Sequence, residues 1–422
     1  LSDAIVAAQA PIRVLNAIKW DDDVREKFFA SDAREQPAVD AAWYHDRELG
    51  FDIDAARAAF MDIELSINTS LGTTSSIAQL LKRTCEQYRL TLDLLDARGT
   101  DAFGPLSAAL YGTAADVFHQ GGPTVADLAD QFRNALSWVS DLPVDDRDEK
   151  SIPGDEAVEI LQARLNESMG PGRCEVTTDD GIVADAAAGS SYIKLRADAQ
   201  FSHRQLEQLE SHEGWVHVGT SANGSAQPVC TFLGKAPPPV NVTQEGLATL
   251  TELLSLTSHP ARLLRIADRI DAIAMAEGGA TFVDVVEHFR TAGKDEDEAW
   301  QIGMRTFRGS TPTGMPFTKD LAYGKGLVLT YAYVRVAIRT GRLDRIPLLF
   351  CGKIDINTMG TINELYDEGV IVEPAFLPEV FRDANALAAQ VAFSRFNGSL
   401  DFDRLASDYL PLLGNPDQRS AL

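Results

Sequence analysis

One six-residue stretch decides the fold of this chain: residues 212–217 read HEGWVH. In it, His212 and His217 flank Glu213, a carboxylate that follows the first imidazole directly. Imidazole and carboxylate ligands suit Zn²⁺, and a site with three protein ligands leaves a fourth position for water. A carboxylate beside the ion can then accept a proton from that water. The stretch therefore predicts a site for one zinc ion, with both histidines as ligands and Glu213 as the general base.

The two histidines are one residue further apart than in the common zinc motif H-E-x-x-H. Residues i and i+4 of an α-helix lie about 40° apart around the axis, whereas i and i+5 lie about 140° apart. A straight α-helix would therefore point His212 and His217 in different directions. A π-bulge absorbs one surplus residue, and such bulges favour functional sites. Gly214 has the permissive backbone that this distortion needs, so we expect a widened turn at that glycine.

A histidine on a helix is more often a packed or solvated side chain than a metal ligand. The chain has only 7 histidines, and two of them flanking a glutamate within six residues favour the zinc site over that alternative. The zinc interpretation then needs a third protein ligand, which must come from elsewhere in the chain.

The third ligand is expected from a second motif, QEGLA, at residues 244–248. A proline run at residues 237–239 precedes it, and no helix can cross that run. A new helix is therefore expected just after the prolines, with Glu245 in its first turn as the third metal ligand. Glu252, two turns later on the same face, is the alternative ligand. A lone glutamate at a helix start is otherwise explained by its favourable interaction with the helix dipole.

Short β-like runs precede the zinc motif, at residues 173–178, 182–184 and 191–197. The residues at 179–181 separate the first two runs as a hairpin turn does. Residues 192–195 are expected to form an edge strand that an extended peptide can join. A capping box at residues 202–205 then predicts the start of the zinc-binding helix.

Helical periodicity covers most of the remaining chain. It predicts helices at residues 52–66, 75–95, 125–139, 242–257, 260–277, 281–291, 296–307, 319–340, 358–368 and 378–396. The expected fold class is α+β and mostly helical, with a small β-sheet, a zinc-binding helix and the glutamate ligand on a second helix. We expect a helical N-terminal region at 1–140, an acidic linker at 141–158 and a catalytic region with a helical C-terminal part at 159–422.

Both motifs, together with the segment FTKDLAY at residues 317–323, resemble the tyrosine carboxypeptidase family. Its bacterial members are labelled flavohemoglobin expression-modulating QEGLA motif proteins, and its animal members remove the last Tyr from α-tubulin. The resemblance implies a zincin-like metallopeptidase fold. It also implies that His212, His217 and Glu245 are the zinc ligands and that Glu213 is the general base.

A carboxypeptidase must hold the terminal carboxylate of its substrate, and the arginine fork does so in a bidentate way. Arg305, Arg308 and Lys319 are the residues expected to bind this carboxylate, and Tyr323 is expected to donate to the oxyanion. Solvated basic residues at helix ends are the alternative for each of them. The predicted function is therefore a zinc-dependent metallocarboxypeptidase that acts on a peptide or protein C-terminus and prefers Tyr or Phe there.

Two other functions fit the same motifs. A non-catalytic zinc-binding regulatory protein would have a fourth protein ligand in place of water, and Cys230 and His203 are the candidates. An aminopeptidase or endopeptidase on the same framework is the second alternative. An aminopeptidase needs acidic residues to hold the substrate amine, so the sign of the charge beside the metal distinguishes it from a carboxypeptidase.

Composition limits the partners and the setting. A net charge of −24 over 422 residues argues against nucleic acid, whose phosphates need a basic surface. The most apolar stretch, residues 327–338, carries Arg335 and is too short to span a membrane. The 4 cysteines form no CxxC motif, and no signal-peptide pattern opens the sequence. We therefore expect reduced thiols and a cytoplasmic location, while nothing in the sequence indicates an oligomeric state.

Overall fold

The N-terminal part of the chain is helical, as the periodicity predicts. The computed structural model describes residues 1–137, 146–180, 182, 185–409 and 412. The first helices are α1 (Ser2–Gln9), α2 (Val14–Ala17), α3 (Asp22–Ala30), α4 (Ala41–His45), α5 (Ile53–Leu71), α6 (Ser76–Asp96), α7 (Phe103–Tyr111) and α8 (Val125–Leu136). The predicted end of α8 at residue 139 lies outside the described residues, as do residues 141–145 of the predicted linker.

Two small sheets follow α8. The strands are β1 (Ile152–Pro153), β2 (Glu175–Asp179), β3 (Ala186–Ala188), β4 (Tyr192–Arg196) and β5 (Gln200–Phe201). β1 pairs antiparallel with β5, while the three-stranded sheet has the order β2-β4-β3. Helix α9 (Gly154–Met169) shares an apolar cluster with this sheet, through Leu161, Leu165, Val176, Ile193 and Leu195.

The strand pairing corrects two predictions. β2 pairs in parallel with β4, with Val176 opposite Ile193, and does not pair with β3, the next described strand; residues 181, 183 and 184 of the predicted hairpin lie outside the described residues. β4 also pairs antiparallel with β3 and is therefore the central strand, with no free edge at residues 192–195 for a peptide to join. The physical reason is burial: Ile193 and Leu195 are both 0% exposed, which favours a neighbouring strand on each side.

The second half of the chain is again helical. Its helices are α10 (His203–Leu209), α11 (Gly219–Ser225), α12 (Val240–Leu254), α13 (Pro260–Glu277), α14 (Phe282–Thr291), α15 (Glu296–Phe307), α16 (Leu321–Arg339), α17 (Met359–Asp367), α18 (Glu379–Arg382), α19 (Ala384–Asn397) and α20 (Phe402–Tyr409). The predicted bounds of α13 and α15 are confirmed. The last predicted helix is divided into α18 and α19, because Asp383 leaves the helical conformation and caps α19.

Helix α12 begins at Val240, directly after the proline run and before the predicted start at residue 242. Pro239 occupies the N-cap position and Val240 is the first helical residue. Glu245 therefore lies in the second turn and not in the first, so capping does not explain its presence. Thr243 lies inside the helix, where its hydroxyl accepts a hydrogen bond from the backbone N–H of Ile356 at 2.8 Å.

Helices α12 and α16 approach each other backbone to backbone. A Cβ atom added to Gly246 would lie 2.0 Å from the carbonyl carbon of Gly326, and one added to Gly326 would lie 1.9 Å from the carbonyl oxygen of Val242. Only glycine fits at both positions. The contact brings Glu245 on α12 next to the residues that begin α16.

The largest apolar cluster contains residues from both sides of the predicted linker, for example Phe60 and Leu92 together with Leu247 and Phe350. The three predicted regions stay a prediction, although α9 already begins within the span predicted as linker. All 4 cysteines are free and buried. No helix within the described ranges is both long and apolar enough to span a bilayer.

Candidate metal centre

The predicted widening of the zinc-motif helix is confirmed. Helix α10 continues into a π-helix, Glu210–Val218, which continues into α11. A π-helix bonds residue i to i+5, so His212 and His217 lie one wide turn apart on the same face. Their ring centroids are 4.9 Å apart. The surplus residue in the motif is therefore absorbed by the helix, and both imidazoles point to one place.

Gly214 serves the widened helix in a way that differs from the prediction. Its backbone is not among the glycines with positive φ, so it needs no special conformational freedom. A Cβ atom at this position would instead lie 2.4 Å from Cδ2 of Leu165 on α9. The glycine leaves room for the Leu165 side chain of α9, which a Cβ atom here would force to move.

The predicted cap of this helix is half confirmed. The Ser202 hydroxyl accepts the N–H of Gln205 at 3.1 Å, as an N-cap does. The Gln205 side chain does not return to the cap; it donates to Asp185 at 3.1 Å. Through this bond the helix start is attached to the end of the loop that precedes β3.

The two imidazoles face Glu245 across a small gap. Nε2 of His212 lies 3.4 Å from Oε2 of Glu245, and Nε2 of His217 lies 3.7 Å from the same oxygen. The ligand atoms of the three residues lie within 4.8 Å of one another. Ligands at 2.0–2.2 Å from a tetrahedral Zn²⁺ stand about 3.4 Å apart, so these spacings fit such an ion.

The Glu245 carboxylate is held so that one oxygen remains for a cation. Its Oε1 accepts from the Lys319 ammonium at 3.2 Å, whereas Oε2 is buried without a hydrogen-bond partner among the described residues. Burial alone would raise the pKa of Glu245, but Lys319 and the histidines outweigh it and lower this pKa well below its usual value. A buried, ionised oxygen without a donor calls for a positive charge beside it, so the residue set fits a divalent ion.

Glu213 lies beside this cluster with its carboxylate available. Its Oε1 is 3.9 Å from Nε2 of His212, and its side chain is 13% exposed. In the part of the chain that the structure describes, no donor is hydrogen-bonded to this carboxylate. A carboxylate in this position can accept a proton from a molecule placed between it and the cluster.

Glu252 contacts His212 through the ring nitrogen that does not face Glu245. Its Oε1 lies 2.5 Å from Nδ1 of His212, on the side of the ring away from Glu245. Gln208 donates to its other oxygen at 3.1 Å, and Arg262 lies 3.5 Å from Oε1. Burial would raise the pKa of Glu252, but Arg262 and His212 lower it. The alternative that Glu252 is itself a ligand does not fit this geometry, because its carboxylate orients His212 instead.

We expect Glu252→Gln to weaken zinc binding about 10-fold, because a neutral amide holds the His212 ring less firmly and makes it a weaker ligand. Competition with a chromophoric chelator measures this affinity. Glu364→Gln is the matched control, since Glu364 is a surface residue that bonds to Ser76. A Glu252→Gln protein that binds zinc within about twofold of the wild type would contradict this role.

Arg262, Arg269 and Lys319 lie around Tyr323 next to the cluster, and we call them the arginine-rich wall. The Tyr323 ring centroid is 6.5 Å from that of His212. Three cations lie close to its ring, Arg269 at 4.8 Å, Arg262 at 5.3 Å and Lys319 at 5.4 Å. The sequence-based reasoning missed the arginines of α13. Their signal was available, since positions 262, 265 and 269 place three arginines on one helical face of an acidic chain.

The structure gives the predicted carboxylate-binding residues different surroundings. Arg305 forms a two-pronged pair with Asp320, at 2.6 and 2.8 Å, and this arginine counters the burial of Asp320 and holds the pKa of that carboxyl well below its usual range. Lys319 is paired with Glu245. Arg308 is 6% exposed, its Nε has no acceptor, and within the described residues no carboxylate pairs with it. Burial and the nearby Arg305 lower the pKa of Arg308 to about 10.

Neither candidate for a fourth protein ligand joins the cluster. Cys230 lies in the large apolar cluster with Phe232 and Leu233, and His203 is exposed at the first position of α10. The groups that His212, His217 and Glu245 bring together among the described residues therefore leave a position open. The arginine-rich wall carries positive charge, which is expected beside a substrate carboxylate. A substrate amine would instead need negative charge beside it.

Comparison with known proteins gives a consistent result. The sequence profile of a family described as microtubule-associated tyrosine carboxypeptidase matches residues 26–399, which include every residue of the site. The chain is also similar to microtubule-associated tyrosine carboxypeptidase 1 of Rattus norvegicus, with 27% identity over 201 residues. That match covers 46% of this chain and 40% of the rat protein, so the similarity spans less than half of each.

Proposed function

The chain belongs to the microtubule-associated tyrosine carboxypeptidase family, and from this premise we propose that it is a zinc-dependent carboxypeptidase with a zincin-like catalytic region. The observation that carries the proposal is the convergence of His212, His217 and Glu245 within 4.8 Å. Among the described residues no donor is hydrogen-bonded to Glu213, which lies beside them, and the arginine-rich wall adjoins them. This combination supports hydrolysis next to a terminal carboxylate more than a structural metal site.

In this proposal His212, His217 and Glu245 hold the ion. When bound, a zinc ion supplies Lewis acidity that makes a water molecule acidic near neutral pH and polarises a carbonyl group. The carboxylate of Glu213 accepts the proton of the attacking water as the water oxygen bonds to the scissile carbonyl carbon. The same carboxylate then delivers this proton to the nitrogen of the leaving amino acid, and the C–N bond breaks.

Tyr323 is the proposed donor to the oxyanion that forms during the attack. Its ring lies nearly parallel to that of His212, at an interplanar angle of 24°. The cations around it, Arg262, Arg269 and Lys319, make this side of the cluster favourable for negative charge. A developing oxyanion would therefore be stabilised by a hydroxyl group and by the field of these cations.

Arg308 is the proposed anchor of the substrate's terminal carboxylate. A buried guanidinium without a carboxylate partner is costly in the free protein, and a ligand carboxylate would supply the missing partner in a bidentate way. Arg305 is not an anchor in this proposal, because Asp320 already occupies its fork. Three arginines lie on one face of α13: Arg262, Arg265 and Arg269. Their positive charge further favours peptides that carry carboxylates close to the C-terminus.

We expect Arg308→Met to lower kcat/KM about 10- to 100-fold, mainly through KM, because a charge-assisted hydrogen bond to the substrate is lost. The same change should leave the thermal midpoint equal or higher, since it removes an unpaired buried charge. Steady-state kinetics and a thermal melt give both values. Arg290→Met serves as the control, because Arg290 is a half-buried residue of α14 that pairs with the exposed Glu296. A KM that stays within twofold of wild type would remove Arg308 from this role.

The proposal is tested by incubating the zinc-loaded protein with peptides that end in Tyr, Phe, Leu or Glu and reading the products by mass. The expected product lacks one C-terminal residue, with Tyr and Phe removed fastest, and a peptide with an amidated C-terminus is spared. Removal of the metal by a chelator should abolish the reaction and added zinc should restore it. Loss of N-terminal residues or internal cleavage would instead indicate an aminopeptidase or an endopeptidase.

A further inference from the structure

Lys353 is a lysine whose ammonium lies close to the cluster of His212, His217 and Glu245. Its ammonium donates to the backbone carbonyl of His217 at 3.2 Å and to Oε1 of Gln244 at 3.2 Å. Within the described residues no carboxylate lies within ion-pair distance of it. The ammonium thus connects one proposed ligand, His217, with the residue that precedes another, Glu245.

Gln244 is oriented to accept from this lysine. The Thr220 hydroxyl lies 2.9 Å from the same Oε1 and shares its single proton between this oxygen and the Val216 carbonyl, so the Lys353 ammonium is the stronger donor to the amide oxygen. The amide nitrogen is buried and has no acceptor among the described residues, and the whole side chain is 2% exposed. An unsatisfied buried N–H₂ group is unfavourable. The contacts that Oε1 makes with Thr220 and Lys353 are therefore what favours this orientation of the amide.

Side chains also satisfy the carbonyl groups at the end of the widened turn. Thr220 donates to the carbonyl of Val216 at 2.5 Å, and Ser221 donates to that of His217 at 2.9 Å. The ammonium of Lys353 is a second donor to the His217 carbonyl. The π-helix is a rare conformation. These donors stabilise its backbone at Val216 and His217.

The segment that carries Lys353 is itself fixed on two sides. The Lys353 N–H donates to the carbonyl of Leu233 at 2.7 Å, and the Ile356 N–H donates to Thr243 on α12 at 2.8 Å. A Cβ atom added to Gly352 would lie 2.6 Å from Cβ of Leu233. Lys353 therefore approaches the cluster on a backbone with little freedom to move.

We propose that Lys353 is a positioning residue which, through Gln244, ties the π-helix to α12 so that His217 and Glu245 face the same ion. The inference rests on the metal site of the proposed function and adds a residue outside both sequence motifs to it. Lys353 touches neither the ion nor the substrate in this role. It acts by keeping two ligands, from two helices, at a fixed separation.

The test uses Lys353→Met and Gln244→Leu in the full chain, with zinc affinity measured by chelator competition. Each change is expected to weaken zinc binding about 10- to 100-fold, as the loss of supporting contacts does at other metal sites. The sign is diagnostic for Lys353, because removing a positive charge near a cation would by Coulomb's law alone tighten metal binding. At saturating zinc, kcat should fall while KM stays within about twofold.

A double-mutant cycle tests whether the two residues act together. Because both changes remove the contact between Lys353 and Gln244, the double variant should lose less zinc affinity than the product of the two single losses. Thr220→Val removes one donor with little change in shape and should give a smaller loss in the same direction. Lys294→Met is the matched control, since Lys294 pairs with Asp268 at 2.8 Å, and it should keep wild-type zinc affinity.

Unchanged or tighter zinc binding by Lys353→Met would overturn the inference, and so would losses that multiply in the double variant. A wild-type protein that binds zinc but cleaves no peptide would overturn the proposed activity alone, while weaker zinc binding by the variants would still support the positioning role. A wild-type protein that binds no zinc would overturn both.

Discussion

Glu213→Gln is expected to lower kcat by about 10³-fold while zinc stays bound. The carboxylate lies 3.9 Å from Nε2 of His212 with no donor on it among the described residues, so it is placed to move a proton and not to hold the fold. General acid–base groups contribute about 10²- to 10⁴-fold to a rate. The amide of Gln has nearly the same shape but accepts no proton at neutral pH, so the loss should appear in kcat and not in metal content.

The measurement combines turnover of a Tyr-terminated peptide with zinc content after gel filtration. Glu210→Gln is the matched control, because Glu210 lies in the same π-helix but faces Arg164 at 3.7 Å. It should retain close to full activity. A Glu213→Gln protein with more than about a tenth of wild-type kcat would assign the proton transfer to another group.

Gly246→Val is the substitution for which we expect the largest loss of stability. A Cβ atom there would lie 2.0 Å from the carbonyl carbon of Gly326, and backbone cannot move aside as a side chain can. Overpacking costs about 3 kcal/mol or more when helices must separate. Because Glu245 is the neighbouring residue, the separation of α12 from α16 should also displace a proposed ligand.

Chemical denaturation measures the lost free energy of unfolding, and chelator competition measures the accompanying loss of zinc affinity. Gly360→Ala is the matched control, because Gly360 lies in α17 and an added Cβ would meet nothing within 4 Å. Alanine there should raise stability by up to about 1 kcal/mol through helix propensity. A Gly246→Val protein as stable as wild type would show that the two helices can separate freely.

The local part of the site was predictable because its residues follow one another in the chain. The spacing of His212 and His217 demanded a wide turn, and the structure has a π-helix there. The helices α13 and α15 were predicted to the residue, since their periodicity and flanking caps agree. Local signals of this kind need no knowledge of what lies across the fold.

The rest of the site depends on contacts between distant residues. Arg305 and Arg308 look alike in the sequence, yet Asp320 occupies the fork of the first alone. Glu245 and Glu252 lie on one helical face, and only the place of each in the fold separates the carboxylate that faces both imidazoles from the one that contacts Nδ1 of His212. The pairing of β2 with β4 likewise depends on burial on both sides of a strand, which a turn signal does not encode.

The widened turn has a consequence for the helical segments on either side of it. Leu209 before the π-helix and Val218 at its end belong to the same apolar cluster, so the surplus residue is taken up between them without disturbing the core. A one-residue insertion into a helix ordinarily rotates everything beyond it by about 100°. Here the surplus residue is accommodated within nine residues, and Gly214 leaves room for Leu165 of α9. The helical segments on either side can therefore keep their packing while two imidazoles five positions apart lie on one face.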